Sequence, residues 1–268
     1  MSRSAPMLGR VLVIAGSDSG GGAGIQADIK TITALGAYAA TAITMLTAQD
    51  TRAVHAVHPV PLDFLRLQIE LALEDPGADA VKTGALGDAA TVALVCDVLE
   101  ARARGLPLVV DPVFSASSGR PLLDADGIAM LKRRLLPLAS VLTPNILEAE
   151  ALCGMRIGSA ADMRDAARAL LALGPLAVLL KGGHLPGETV VDLLVTADGV
   201  TAFEQPRLHT RHTHGTGCTL ASAVAAGLAR GMGLRDAVFR ARAYVQAAIA
   251  AAPGFGAGHG PLNHAVRA

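Results

Sequence analysis

Short runs of apolar, often β-branched residues alternate along the chain with longer segments in which apolar residues recur with a helical period. The short runs are typical of buried strands, and the longer segments, such as 61–75 and 90–105, are typical of helices. Strands that alternate with helices predict a mostly parallel sheet covered on both faces. The predicted strands are 11–16, 40–46, 79–84, 106–111, 140–144, 176–183, 190–195 and 199–205.

The domain organisation follows from the same pattern. A tight turn region joins the strands 190–195 and 199–205, which predicts an antiparallel hairpin near the edge of the sheet. The chain contains no low-complexity linker, internal repeat or charge run. We therefore predict one α/β domain over residues 10–262, with flexible tails at 1–9 and 263–268.

Composition excludes several classes of protein. Hydrophobic residues make up 51% of the 268 residues, which excludes intrinsic disorder. With 23 basic and 23 acidic residues and no tryptophan, a nucleic-acid partner is not expected. Three cysteines without a C-x-x-C pair argue against a disulfide framework. No secretory leader is recognised, and the charge-free segment 31–49 is interpreted as a helix end and a buried strand, so we expect a cytoplasmic protein with no membrane partner.

Polar residues and glycines follow most of the predicted strands. Ligands of open parallel sheets bind at the carboxyl ends of the strands. A structural protein does not need a polar rim at this edge, whereas an enzyme with a small polar substrate does. The segments concerned are 16–18, 47–50, 82–84, 111–112, 143–145 and 181–184.

The glycine-rich segment 16–24 lies between the first strand and a helix. Its backbone amides can bind an anion, although a tight strand-to-helix turn would also use glycine. A Rossmann fingerprint is disfavoured, because several residues separate the strand from Gly22-x-Gly24-x-x-Ala27. A Walker A loop is excluded, because the chain has no Gly-Lys-Ser/Thr.

The segment 213–219 opens a helix built almost entirely of small residues. Free N–H groups and the helix dipole predict an anion site at this terminus, with Gly215 and Gly217 in the turn. Amides there can stabilise a transferring phosphoryl group. The same terminus is expected to lower the pKa of the Cys218 thiol, which suggests a reactive or base-like cysteine. An inert buried cysteine is the alternative.

Asn145 and Glu148 follow another strand end and lie three residues apart on one helix face. Such oxygen ligands suit Mg²⁺, which needs only one or two carboxylates beside phosphate. A helix capping box explains the same pair equally well. The histidines His209, His212 and His214 lack the spacing and the partners of a metal site, so that interpretation is disfavoured.

Several segments together closely resemble the hydroxymethylpyrimidine/phosphomethylpyrimidine kinases of the ribokinase-like superfamily. The most specific are GGAGIQAD and HGTGCTL, and the resemblance extends over essentially the whole chain. The segments are AGSDSGGGAGIQADIKT (15–31), TAQDT (47–51), VKTGALG (81–87), VVDPV (109–113), LTPNILEAEAL (142–152), LLKGGH (179–184) and THGTGCTLASAVAAG (213–227).

The resemblance implies a three-layer αβα sandwich, usually a homodimer. It implies ATP-dependent phosphorylation of 4-amino-5-hydroxymethyl-2-methylpyrimidine and then of its monophosphate in thiamine biosynthesis. Gln49 matches the residue that holds the aminopyrimidine, and Gly16 and Asp28 match other positions near it. A glutamine amide can accept from the exocyclic amine and donate to the adjacent ring nitrogen.

The remaining site residues are assigned by the same resemblance. Lys181 would neutralise phosphate charge, and the amides of Gly215 to Cys218 would bind the moving phosphoryl group. Glu148 and Asn145 would hold Mg²⁺. The residues expected at the nucleotide are Asp111, Asn145, Thr213 and Thr216.

Two positions depart from the family pattern. Ala85 stands where many relatives carry a bulky methionine, and the segment 114–119, which includes Ser117, lacks a lysine that many relatives have there. We expect a wider pocket and an altered substrate range. The alternatives are a pyridoxal/pyridoxine kinase of the same superfamily or a non-catalytic pyrimidine-binding regulator.

Overall fold

A computed structural model of the chain describes residues 8–116 and 118–266. Within these residues one sheet has nine strands in the order β3-β2-β1-β4-β5-β6-β7-β8-β9. The strands are β1 Arg10–Asp18, β2 Tyr38–Gln49, β3 Val54–Pro59, β4 Ala80–Thr83, β5 Leu108–Val110, β6 Val141–Leu142, β7 Ala177–Leu180, β8 Thr189–Thr196 and β9 Gly199–Pro206.

Helices connect the strands and cover both faces of the sheet. A π-helical turn, Leu131–Leu135, and a 3₁₀ turn, Leu136–Leu138, extend the fourth helix. The α-helices of the described residues are α1 Gly24–Ala34, α2 Leu62–Glu74, α3 Ala89–Arg102, α4 Ala125–Met130, α5 Ile146–Cys153, α6 Ala160–Leu171, α7 Thr216–Ala229 and α8 Leu234–Ala250.

The strand directions confirm the prediction of a mostly parallel sheet. The six central strands, β2, β1, β4, β5, β6 and β7, are parallel to one another. The other three strands pair antiparallel, β3 with β2, β8 with β7 and β9 with β8. The predicted hairpin is confirmed, with β8 and β9 paired from Thr189↔Pro206 to Thr196↔Gly199. Strand β3 was not predicted.

Alternate residues of β1 show why the sheet needs helices on both faces. Leu12 and Ile14 pack into one hydrophobic cluster, which includes residues of α2, α3, α5 and α6. Val11 and Val13 pack into a second cluster on the opposite face with α1, α7 and α8. Side chains alternate between the faces of a strand, so each face of this apolar run must be buried. This arrangement is the three-layer αβα sandwich implied by the resemblance.

The ordered domain extends past the predicted limits. His264 is buried, and its Nε2 lies 2.9 Å from Thr219 Oγ1 on α7. Tyr244 of α8 donates to the carbonyl oxygen of His264. At the other end, the carbonyl oxygen of Gly9 accepts from Tyr38 N–H. The packed region thus includes residues on both sides of the predicted boundaries at 10 and 262, while residues 1–7 and 267–268 of the predicted tails lie outside the described residues.

A helix that crosses a bilayer needs about 20 predominantly apolar residues. Across residues 8–116 and 118–266, every helix is too short or too polar to cross a bilayer.

Candidate active site

A cavity of about 650 Å³ lies at the carboxyl ends of the parallel strands. It runs between the end of β2 and the start of α7 on one side and the β9 and α8 region on the other. All but one of the residues assigned from the sequence line this cavity. They are Gly16, Gln49, Asp111, Asn145, Glu148, Lys181, Thr213, Gly215, Thr216, Gly217 and Cys218.

One lysine and two carboxylates form the charged centre of the cavity. Lys181 Nζ lies 3.3 Å from Asp111 Oδ1 and 4.0 Å from Glu148 Oε2. The backbone brings Lys181 close to the start of α5. Lys181 N–H donates to the carbonyl oxygen of Pro144, and Lys181 forms an isolated parallel β-bridge with Asn145. Burial disfavours the charge on Lys181, but the two carboxylates outweigh it and raise the pKa of the ammonium group. The lysine is therefore a fixed cation.

Glu148 has two roles in the structure. It forms a capping box, in which Asn145 N–H donates to Glu148 Oε2 and Glu148 N–H donates to Asn145 Oδ1. The capping explanation of this pair is therefore confirmed, and the cap fixes the Glu148 carboxylate beside Lys181. Burial raises the pKa of Glu148 to about 7, against the attraction of Lys181. Glu148 thus titrates near neutral pH.

The first turn of α7 points at this charged centre. Gly215 has a φ of +85°, and a Cβ at this position would collide with the carbonyl oxygen of Gly22. A Cβ on Gly217 would lie 3.2 Å from Lys181 Nζ. The turn therefore places backbone amides next to a lysine, as an anion site requires, although the Thr216 amide already donates to the carbonyl oxygen of Thr213.

Cys218 differs from the expectation. Burial raises the pKa of its thiol to about 12, because the nearby cation of Lys82 compensates burial only in part. The helix terminus does not produce a thiolate at neutral pH, so the prediction of a lowered pKa was wrong. Cys218 still lines the cavity, and its protonated thiol can contact a substrate there.

Gln49 and the α7 turn lie side by side. Gln49 Nε2 lies 3.2 Å from His214 Nε2, and His214 directly precedes Gly215. His214 Nε2 also lies 2.9 Å from Asp18 Oδ2. Because Asp18 is an acceptor, the histidine ring presents its N–H to the carboxylate and packs against the carboxamide. Asp18 also accepts from the backbone amides of Gly20, Gly22 and Ala23.

Asp18 and His214 were not assigned to the site from the sequence. Burial disfavours the charge on Asp18, but bonds from His214 and from backbone amides outweigh it and lower the pKa of the carboxyl group. The only signal in the sequence is that each residue adjoins a glycine turn at the predicted rim. Their partnership joins positions far apart in the chain, so no local pattern shows it.

Asp28, the remaining assigned residue, does not contact the cavity. Its carboxylate is fully buried and lies 2.9 Å and 3.0 Å from Lys82 Nζ, and Ser222 Oγ donates to it at 2.6 Å. Lys82 lines the cavity floor instead. α1 therefore directs this carboxylate at the lysine beneath the site, and the expected role of Asp28 at the substrate stays a prediction.

The far end of the cavity is more apolar. Beside polar groups such as Arg207 and Gln246, this end is lined by apolar side chains of β9, α8 and the segment that follows β9. They include Pro206, Leu208, Val245 and Ile249. Both ends belong to one continuous space, so two small molecules can meet at the Lys181 cluster.

Two further expectations concern a metal site built from protein side chains alone and the segment 114–119. Among the described residues, no group of three or more histidine, cysteine, aspartate or glutamate side chains is placed to hold a metal ion on its own. Ser117 lies outside the described residues, so the effect of the missing lysine in 114–119 stays a prediction.

A parallel αβα sandwich with a helix terminus, a lysine and two carboxylates around one cavity defines a small-molecule kinase of the ribokinase-like class. Residues 18–263 match the family described as phosphomethylpyrimidine kinase. The chain belongs to this family.

Known relatives agree with this assignment. The chain is 47% identical over 254 residues to hydroxymethylpyrimidine/phosphomethylpyrimidine kinase of Streptomyces coelicolor, covering 95% of this chain and 93% of that protein. It is 49% identical over 269 residues to the thiamine biosynthesis bifunctional protein ThiED of Geobacter sulfurreducens, covering 100% of this chain. Here the chain spans about half of the relative, 54% of its length.

A solved structure supports the fold. The structure of Bacillus subtilis pyridoxal kinase in an ADP complex matches with a TM-score of 0.89 and 35% identity, over 96% of this chain and 98% of that chain. The ribokinase-like fold is therefore shared with a pyridoxal kinase as well.

Proposed function

We propose that this protein transfers the γ-phosphoryl group of ATP to the hydroxymethyl group of 4-amino-5-hydroxymethyl-2-methylpyrimidine and, in a second reaction, to the phosphate group of the monophosphate so formed. One observation carries the proposal: Gln49 lies beside His214, which directly precedes the anion-binding turn of α7. A heterocycle held by the carboxamide thus lies next to the amides that would bind the phosphoryl group. The Streptomyces coelicolor relative named hydroxymethylpyrimidine/phosphomethylpyrimidine kinase, at 47% identity, supports this substrate, and the relative named as a thiamine biosynthesis bifunctional protein, at 49%, supports the pathway.

The reaction needs position and charge more than a strong base. Phosphoryl transfer passes through a loose transition state with charge on the equatorial oxygens. The amides from Gly215 to Cys218 and the ammonium group of Lys181 would bind those oxygens. The substrate hydroxyl oxygen attacks phosphorus, the bond to the ADP oxygen breaks, and the hydroxyl proton leaves to solvent or to phosphate. Cys218, with its pKa about 12, orients the alcohol and does not take the proton at neutral pH.

The carboxylates fit a role for Mg²⁺. Glu148 and Asp111 are buried oxygen donors on either side of Lys181, and Asn145 adds an amide oxygen at the helix start. Two carboxylates are enough for Mg²⁺ when phosphates and water supply the other ligands. When bound, the ion would neutralise phosphate charge, with Glu148 and Asn145 holding it through water and Asp111 nearby. Thr213 and Thr216 also line the cavity, and their hydroxyl groups would contact the nucleotide phosphates.

The pH dependence of the reaction tests the role of Glu148. We expect kcat/KM for ATP with Mg²⁺ to rise with pH through about 7, because the carboxyl group, with its pKa about 7, must lose its proton to hold a cation. The stability effect has the opposite sign: the folded pKa lies above the reference value of 4.5, so the stabilising contribution is present below pH 4.5 and is lost as the pH rises through 7. A pH profile of kcat/KM measures the first effect, and Glu148→Gln should remove the step near 7. A step that survives in Glu148→Gln belongs to another group.

The oligomeric state and the cellular location expected from the sequence stay proposals. A homodimer is supported by exposed apolar side chains, namely Leu46 on β2 and, on the outward face of α2, Phe64, Leu67 and Leu71. Sedimentation equilibrium at micromolar concentration would give the mass of two chains, and a single-chain mass would contradict it. A cytoplasmic location is supported by the use of ATP and by cysteines that are all free thiols.

ADP release with three alcohols tests the proposed function. The wild-type protein is offered hydroxymethylpyrimidine, its monophosphate and pyridoxal separately, with ATP and Mg²⁺. We expect the highest kcat/KM with the pyrimidines. Preference for pyridoxal would support the alternative of a pyridoxal kinase, an enzyme whose fold this chain shares. Binding of the pyrimidine without any ADP release would support the regulator.

Replacement of Gln49 by alanine tests the recognition end of the cavity. We expect the KM for the pyrimidine to rise about a hundredfold with little change in the KM for ATP. The variant lacks the carboxamide, so the amine and the ring nitrogen of the bound pyrimidine lose their hydrogen-bond partner. Initial rates with each substrate varied in turn measure this split. Asp50→Asn, an exposed neighbour whose carboxylate caps the turn to Ala53, is the control. Equal changes in both KM values would contradict the assignment.

A further inference from the structure

Met45 occupies part of the cavity wall where the sequence predicted open space. It lies on β2 with only 3% of its surface exposed, and it lines the cavity. A Cβ on Gly16 would lie 2.9 Å from Met45 Cγ, and a Cβ on Gly87 would lie 3.0 Å from Met45 Cε. The side chain therefore spans the distance between the end of β1 and the loop that follows β4.

Ala85 lies on the same wall. Thr44, next to Met45 in the chain, donates from Oγ1 to the carbonyl oxygen of Ala85 at 2.7 Å. This bond ties the loop after β4 to β2, and both Met45 and Ala85 line the cavity. The alanine methyl group is small, and β2, which lies on the other side of β1 from β4, brings a long, flexible thioether to the same wall. The wider pocket expected from Ala85 is thus reduced by Met45.

The same strand also carries the group assigned to recognise the ring. Met45, Thr47 and Gln49 occupy alternate positions of β2, and all three line the cavity, so this face of the strand borders the cavity although the pairing with β3 shifts register between Ala48 and Gln49. Thr47 Oγ1 donates to the carbonyl oxygen of Ser17 at 2.8 Å, which fixes this face against β1. A ring that pairs with Gln49 therefore lies within reach of the methionine.

We propose that Met45 is the side chain that limits the size of the heterocycle, taking the place of a bulky residue at position 85. The proposal rests on the function proposed above and adds the side chain that discriminates between substrates by their size. The aminopyrimidine alcohol carries three ring substituents, whereas pyridoxal carries four. An apolar wall rejects one extra group by steric exclusion. Met45 admits the smaller ring and excludes the larger one.

Moving the methionine from β2 to the loop after β4 tests this proposal. The variants are Met45→Ala, Ala85→Met and the double variant, and kcat/KM with ATP is measured for hydroxymethylpyrimidine and for pyridoxal. The ratio of the two values should fall about tenfold in Met45→Ala, since one missing apolar group changes discrimination by that order. The double variant should recover the ratio, because it restores the bulk from the other side. Met232→Ala, in the turn after α7 and outside the cavity lining, controls for general loss of packing.

The outcomes separate this proposal from the function on which it rests. A wild-type enzyme that prefers the pyrimidine, together with an unchanged ratio in Met45→Ala, would overturn the role of Met45 alone. A ratio that falls in Met45→Ala but is not recovered in the double variant would show that bulk at position 85 does not replace Met45, and would also overturn it. A wild-type enzyme that prefers pyridoxal would overturn both proposals. Thermal unfolding of each variant shows that the comparison is made on folded protein.

Discussion

Lys181→Met is expected to lower kcat by a factor of about 100 to 1000, the range seen when one aimed donor of a transition-state charge is removed. The ammonium group is fixed between Asp111 and Glu148 and lies beside the first turn of α7. It needs no reorganisation as charge moves to the phosphoryl oxygens, so its loss falls on the chemical step. The protein should still fold, because Glu148, with its pKa about 7, can take up a proton when the cation is absent.

Steady-state kinetics at saturating substrates measure this effect. Lys132→Met, on the π-helical turn outside the cavity lining, is the matched control and should leave kcat within about twofold. The variant should also shift the step in the pH profile upward, because Lys181 is the cation that lowers the pKa of Glu148. A kcat within threefold of the wild type would remove Lys181 from the proposed mechanism.

Gly215→Ala is expected to cost about 3 kcal/mol of unfolding free energy and to reduce kcat at least about a hundredfold. The backbone has φ +85°, which a residue with a Cβ rarely adopts, and the added carbon would collide with the carbonyl oxygen of Gly22. Relief of that collision must move the turn away from the glycine-rich loop. The amides of the turn would then miss the phosphoryl group.

Gly231 offers a matched control for this prediction. It has φ +79° just beyond the far end of α7, and a Cβ there would meet no atom within 4 Å. Gly231→Ala therefore carries the same backbone strain without the collision, and should cost about 1 kcal/mol with unchanged kcat. Chemical denaturation gives both free energies. Equal loss of activity in the two variants would mean that strain, rather than the position of the turn, explains the effect.

Much of the fold was predictable because apolar runs on parallel strands are local signals. The hairpin of β8 and β9 and the helices near 61–75 and 90–105 have clear patterns, and the structure has them. Strand β3 has no such pattern: most of Val54–Pro59 is exposed, since it is an edge strand paired with β2 alone. Exposure removes the alternation from which a strand is recognised.

The position of a residue at the cavity was predictable only where that residue lies at or just after the end of a strand. Lys181, Asn145 and Gln49 met that condition and line the cavity. The ion pair of Asp28 with Lys82 and the contact of His214 with Asp18 depend on how α1 and α7 pack on the sheet. The thiol of Cys218 was misjudged for the same reason, since the helix terminus is visible in sequence but its burial is not.

The crowding of α7 limits how this protein can be improved. Alanines and glycine fill its interior, and a Cβ on Gly227 would lie 2.8 Å from Ala237 Cβ on α8. Substitutions that add methyl groups to α7 in order to raise the thermal stability would overpack the helix, displace its N-terminus and lower kcat. Sites on the outward surface of α6, such as Arg164, leave that end undisturbed and are the better place to begin.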